Sequence, residues 1–136
     1  MKRHDSLAIL SRQHHGALIL SQLLKKGAPQ YKGLPTDTAG KITYASAFYK
    51  VELVPHFAAE EKVFDTIKGI SKELDVAIKD IEDEHTLLRS LFGDIHRQAE
   101  AETYLDVLGN KLDQHIRKEE RQLFPLIEAT FCANVT

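Results

Sequence analysis

Leu105-Asp106-Val107-Leu108-Gly109-Asn110-Lys111-Leu112-Asp113-Gln114-His115-Ile116-Arg117-Lys118-Glu119-Glu120-Arg121-Gln122-Leu123 is the stretch that decides the fold. Leu105, Leu108, Leu112, His115, Glu119 and Leu123 recur every three or four residues, the period of one helix face. The stripe is apolar at both ends and carries an imidazole and a carboxylate in its middle. A His and a Glu four apart on a helix have Cβ atoms ~5–6 Å apart, so both side chains reach one point.

The same period runs through the rest of the chain. A first helical segment spans about Ser6 to Lys26, with Asp5 or Ser6 as N-cap and Gly27 just past its end. Its stripe is Leu7, Leu10, His14, Ala17, Ser21 and Leu24. Pro29, Gly33 and Pro35 then make a loop. The second segment spans about Thr38 to Lys68, with Ala45, Tyr49, Glu52 or Leu53, His56, Glu60, Val63 and Ile67 inward. Pro55 lies inside it and is expected to bend it. After the tight link Gly69-Ile70-Ser71, with Ser71 as N-cap, a third segment reaches His96 or Gln98 on Leu74, Ile78, Ile81, His85, Leu88, Phe92 and Ile95. The fourth begins near Ala101 and carries the opening stretch on to Leu126. Pro125 is expected to kink or end it, leaving a loose tail from about residue 129. No segment shows convincing strand alternation. Short links between long amphipathic helices imply antiparallel neighbours, so the expected fold is all-α: one domain over 1–136, an up-down-up-down antiparallel four-helix bundle.

The totals remove several function classes. With 136 residues and 43% apolar content the chain can bury a real core without staples. A net charge of −2 gives no general pull toward nucleic acid or anionic membrane, so neither is expected as a partner. No run reaches the ~18 apolar residues of a membrane span. The start, Met1-Lys2-Arg3-His4-Asp5, is basic, but Ser11, Arg12 and Gln13 interrupt any leader-like apolar run. The one cysteine, Cys132, has no cysteine to pair with and no histidine pattern around it, and is read as a bystander in a reducing, cytoplasmic setting. Nothing resembles a Ser-His-Asp or Cys-His arrangement, a phosphate-cradling glycine loop or a basic aromatic groove. The sequence is compatible with a monomer or a homodimer.

The histidines carry the chemistry. His56/Glu60 and His115/Glu119 are two pairs of the same spacing, but the spacing alone is not decisive, because His96 also precedes Glu100. Height along the bundle decides. At a rise of ~1.5 Å per residue, His14, His56, His85 and His115 fall in one slab several ångströms thick, one per helix and each on its apolar stripe. His96 is eleven residues beyond His85, some ~16 Å along the axis, and with Glu100 is read as a surface residue. Burying four imidazoles and two carboxylates without a cation would cost several kcal/mol per group. Two divalent ions remove that penalty, and the nitrogen and oxygen donors suit Fe, Mn or Zn. His15, rotated ~100° from His14, is read as a partner of a ligand or a helix-interface residue. Glu61 and Glu120 are rotated outward and read as facing water, with a hydrogen bond to a neighbouring ligand as the alternative.

Leu105-x-x-Leu108-Gly109-x-x-Leu112-x-x-His115-x-Arg117-x-Glu119-Glu120-Arg121-x-Leu123-Phe124-Pro125 resembles the final helix of hemerythrin-like (HHE cation-binding) domains. Leu53-x-Pro55-His56-Phe57-x-x-Glu60-Glu61 is similar to their second helix, and Arg12-Gln13-His14-His15 and Asp83-Glu84-His85 to their first and third. The resemblance covers almost the whole chain. It implies a non-haem di-iron centre with His14, His56, His85 and His115 as terminal ligands and Glu60 and Glu119 as bridges, Mn or Zn being possible substitutes. Two +2 ions against two carboxylates leave positive charge, so a bridging oxide or hydroxide is expected as well. The chain departs from the oxygen-carrying members in two places: the residue four after His85 is Arg89 rather than a second histidine, and Glu119 stands four after His115 where they carry an Asp five after. The four-His, two-Glu set is closer to iron-handling, nitric-oxide-responsive and iron–sulfur-repair members.

Three functions fit: a module that binds or senses a small diatomic or peroxidic molecule or stores iron; a di-iron redox enzyme (hydroperoxidase, ferroxidase or iron–sulfur repair factor); or a bundle that holds zinc inertly or no metal. Leu18, Phe48, Leu88 and Leu112 are expected to shield the centre from water. The height argument gives a direct expectation: His96→Ala leaves metal content unchanged, as read by elemental analysis of the purified variant.

Overall fold

The computed structural model describes residues 5–135, with side chains described for 5–131. Among these residues the chain is all-helical, with no strand. Helix α1 is Asp5–Leu24, α2 Thr38–Phe48, α3 Val54–Ile67, α4 Lys72–Gly93, α5 Ala101–Lys118 and α6 Phe124–Val135. A π-helical turn, Tyr49–Leu53, joins α2 to α3, and a second, Glu119–Leu123, joins α5 to α6. The result is four rods: α1, α2–α3, α4 and α5–α6.

Local chemistry sets the ends. Asp37 caps α2 by accepting from the Gly40 amide at 2.9 Å, and Ser71 caps α4 by accepting from the Leu74 amide at 3.2 Å. Gly69, at φ +87°, makes the reversal between α3 and α4 that a side chain would strain. A short 3-10 turn, Ile95–Arg97, closes the third rod.

The two prolines do something other than the sequence suggests. Proline lacks an N–H and its ring crowds the carbonyl four residues back. Widening the preceding turn relieves that crowding: the Val54 amide reaches back to the Tyr49 carbonyl and the Phe124 amide to the Glu119 carbonyl, five residues each. Pro55 and Pro125 then sit in the first turns of α3 and α6, where no N–H is needed. The fourth rod continues as helix to Val135, where a loose tail is expected from the sequence from about residue 129; Thr136 lies outside the described residues. The side chain of Cys132 lies outside the described residues.

Two apolar clusters fill the interior. One gathers Leu20, Leu24, Leu53, Phe57, Leu88, Phe92, Leu108, Leu112 and their neighbours. The other gathers Leu7, Leu10, Phe64, Ile67, Leu74, Ile78, Ile81, Leu123, Phe124 and Ile127. On every rod the residues between the two sets are the polar ones: His14, His56 with Glu60, His85, and His115 with Glu119, all buried. None of the helices among the described residues is long and apolar enough to cross a membrane.

Rod packing is tightest where α1 meets α5. A Cβ placed on Gly109 would lie 2.6 Å from the Ser21 carbonyl oxygen and 3.0 Å from Leu24 Cβ. Backbone on one side cannot give way as a flexible side chain can. Gly109→Ala is therefore expected to destabilise the fold by ~1–3 kcal/mol, as overpacking does, measured by denaturant unfolding of the metal-free protein.

Candidate metal centre

The structure brings together all six residues that the sequence singles out. Their donor atoms form two groups, within each of which the atoms lie within 4.8 Å of one another: His14, His56, Glu60 and Glu119, and His85, His115, Glu60 and Glu119. Both glutamates belong to both groups. The His14 and His56 rings are 4.9 Å apart between centroids, and so are the His85 and His115 rings.

The Nε2 atoms face the carboxylates. His56 Nε2 is 3.3 Å and His85 Nε2 3.1 Å from Glu60 Oε1; His115 Nε2 is 3.0 Å and His14 Nε2 3.4 Å from Glu119 Oε1. Donors ~2.1 Å from one first-row ion and at right angles to each other lie ~3 Å apart, which is the spacing found. Glu60 and Glu119 are 0% exposed. Six of their atoms and neighbours (His14, His56 and His115 Nε2, Glu60 Oε2 and both Glu119 oxygens) are buried with no hydrogen-bond partner. Orphaned lone pairs converging on two points fit cations and are costly without them.

Each imidazole is held from behind. His14 Nδ1 is 2.7 Å from Glu120 Oε1, His56 Nδ1 2.6 Å from Gln13 Oε1, His85 Nδ1 2.8 Å from Glu61 Oε2 and His115 Nδ1 2.8 Å from Glu84 Oε1. An acceptor at Nδ1 puts the proton there and leaves Nε2 bare for a metal. Here the structure decides two open readings. Glu61 and Glu120 do not simply face water: rotated about 100° from their inward neighbours, they point sideways at the next rod, where an imidazole waits. His15 is exposed and not at an interface. Gln13 and Glu84 are partners that the sequence reading does not assign. Their signal was adjacency, since each sits one residue before a stripe histidine, but only packing shows which neighbouring ring it meets.

The holders are themselves held. Arg89 donates to both oxygens of Glu61 at 2.9 and 3.0 Å, Lys118 donates to Glu84 at 2.9 Å, and the Ser11 hydroxyl donates to Glu120. Arg89, one turn after His85, thus supports the His85 ring indirectly through Glu61. Covering rings also differ from expectation. Phe57 stacks on His85 at 4.3 Å and Phe124 on His14 at 5.7 Å. Leu88 and Leu112 are buried in the adjacent cluster as expected, whereas Leu18 and Phe48 are only half-buried at its edge. His96 and Glu100 are exposed.

Electrostatics follow from this crowding. Burial alone would lower the His14 pKa, but Glu119, Glu120 and Glu60 outweigh it and push it up to about 11. His115, likewise opposed by burial, is pushed up to about 9 by Glu119, Glu84 and Glu60. Burial and the neighbouring His14 charge bring His56 down to about 4. Burial and the Glu119 charge raise Glu60 to about 7. Against its own burial, Glu119 is held well below the usual carboxylate range by Glu60, His115 and His14.

This fold and donor set define a helical bundle with a buried His/Glu cation site. The family model described as the hemerythrin HHE cation binding domain matches residues 5–127, and the chain belongs to that family. No curated protein and no solved structure matches the chain.

A proton must leave each charged imidazole before its Nε2 can hold a cation. With His14 near 11 and His115 near 9, the metal-free chain carries both protons at pH 7. Metal uptake is expected to release about two to three protons per chain, the fractional one coming from Glu60, which is raised to about 7, read by titration calorimetry in buffers of different ionisation enthalpy. Apparent affinity should rise as pH increases from 7 toward 9, because the Glu60 proton and then the His115 proton are lost beforehand. Uptake without proton release would contradict this electrostatic account.

Proposed function

We propose that the protein binds two iron ions side by side in its buried polar layer and uses them to take up or sense a small diatomic or peroxidic molecule. His14 and His56 would hold one ion and His85 and His115 the other, with Glu60 and Glu119 available to both. One observation carries the reading: the two donor groups overlap in both carboxylates and in nothing else. Carboxylates shared between adjacent four-residue groups are how helical bundles hold ion pairs.

The reading includes an up-down-up-down course for the four rods. Its support is the order in which each rod meets the two clusters. The first and third rods run from Leu7 and Leu74 in one to Leu24 and Phe92 in the other. The second and fourth run the opposite way, from Leu53 and Leu105 to Ile67 and Ile127.

Iron held by two imidazoles and carboxylate oxygen at each group would supply redox chemistry and room for an outside ligand. The chain's own contribution is positional. Nδ1 partners set the ring orientations, Phe57 and Phe124 exclude water from the imidazole faces, and the outer carboxylates steady the charge. A cleft of about 260 Å³, lined by Glu84, Leu88, Lys111, Gln114, His115 and Lys118, brings solvent to the Glu84–His115 pair. That pair is placed to pass a proton outward.

Anaerobic loading should give two iron ions per chain, and Glu119→Ala should hold at most one, by elemental analysis. Two ions retained in Glu119→Ala would remove the bridging assignment. Air exposure of the loaded protein is expected to raise a reversible charge-transfer band. Sustained peroxide consumption instead would place the protein among redox enzymes.

A further inference from the structure

Three of the four imidazoles are backed by a carboxylate, and one is not. His14 has Glu120, His85 has Glu61 and His115 has Glu84, but His56 has the amide of Gln13. The difference is chemical. A carboxylate can only accept, so it fixes the proton on Nδ1, keeps Nε2 bare and makes the ring a stronger donor to a cation. An amide carries an acceptor and a donor on the same group. Turned one way, Gln13 accepts from Nδ1 and leaves Nε2 bare. Turned over, its NH2 donates to Nδ1, and the proton moves to Nε2, where it blocks ligation.

The two donor groups are therefore unequal. His85 and His115 both have carboxylate partners, Glu61 and Glu84, each anchored by a cation, Arg89 or Lys118. The His14/His56 group has one carboxylate and one amide. His56 is also the most exposed of the four imidazoles, at 6% against 0% for His85.

We infer that Gln13 makes His56 the releasable ligand, so that the ion at His14/His56 is the weaker, exchanging member of the pair. This rests on the dinuclear reading above. Gln13 acts here as a positioning residue, through His56. The device lets one ion be lost or given an open position while the other stays fixed by two carboxylate-backed histidines and both glutamates.

The test follows stepwise Zn2+ binding to the full chain by competition with a chromophoric chelator, and by NMR of the histidine rings. The first equivalent should shift His85 and His115, and the second His14 and His56. Gln13→Glu should tighten the second step alone by about 10- to 100-fold, the usual reach of such partners. A gain of affinity is something that damage to the fold does not produce. Glu84→Gln should weaken the first step and narrow the gap from the other side. His15→Glu places a similar charge on the same exposed helix surface without touching His56 and should leave the gap within about twofold, since exposed charges act weakly. Simultaneous filling, the reverse order, or an unchanged gap in Gln13→Glu overturns the inference while leaving the paired centre intact. Uptake of only one Zn2+ overturns the dinuclear reading and this inference with it.

Discussion

A layer of six polar side chains lies across the middle of an otherwise apolar interior, and the rest of the structure answers to it. Glu60 and Glu119 are wholly buried, and the four histidines nearly so. Isolated charges of this kind are expensive to bury, and the layer cannot hydrogen-bond itself to satisfaction, since most of its inward atoms stay without a partner. Apolar clusters on both sides keep water out, so cations are the natural complement. In their absence the same crowding is expressed as displaced protons: two imidazoles held charged, one held neutral, and one carboxyl raised beside another that is lowered.

Around that layer the outer partners form a closed circuit. The fourth rod's Glu120 backs His14 on the first, whose Gln13 backs His56 on the second. The second rod's Glu61 backs His85 on the third, whose Glu84 backs His115 on the fourth. Each rod gives one imidazole inward and one acceptor sideways, so no ring can turn without breaking a contact to its neighbour. Helix geometry makes this economical, because a residue next to an inward one is rotated about 100° toward the adjoining rod. The same contacts tie all four rods together at the height of the centre, where apolar packing is interrupted.

The prolines show how the rods accommodate this. Each of the two HxxxE rods carries a π turn beside the layer, one ending just before Val54-Pro55-His56 and one beginning at Glu119. A widened turn admits the proline ring and also resets which face follows it. In the fourth rod it separates Glu119, aimed into the centre, from Leu123 and Phe124, aimed into the apolar cluster beyond. An uninterrupted helix would carry its 3.6-residue period past the centre without that adjustment.

By itself the sequence determined the helices, most of their inward stripes and the convergence of the six polar residues, because each depends on a 3.6-residue period and a common rise per residue. On the second rod Tyr49 and Val63 are only half-buried, and Phe57 and Phe64 fill the interior instead. Leu7 to Leu24 and Leu74 to Ile95 are buried where their spacing places them. The surface positions of His96 and Glu100 follow from the same rise. Only the tertiary structure decided which ring each outer residue meets, as with Glu61 on His85 and Gln13 on His56. It also decided that Phe57 and Phe124 cover the imidazoles and that Pro125 is passed through a wide turn instead of ending the rod. The physical reason is one of range. Periodicity along a single helix fixes which side faces in, but contacts between rods depend on their relative rotation and on a local change of helix type, neither of which one strand of residues encodes alone.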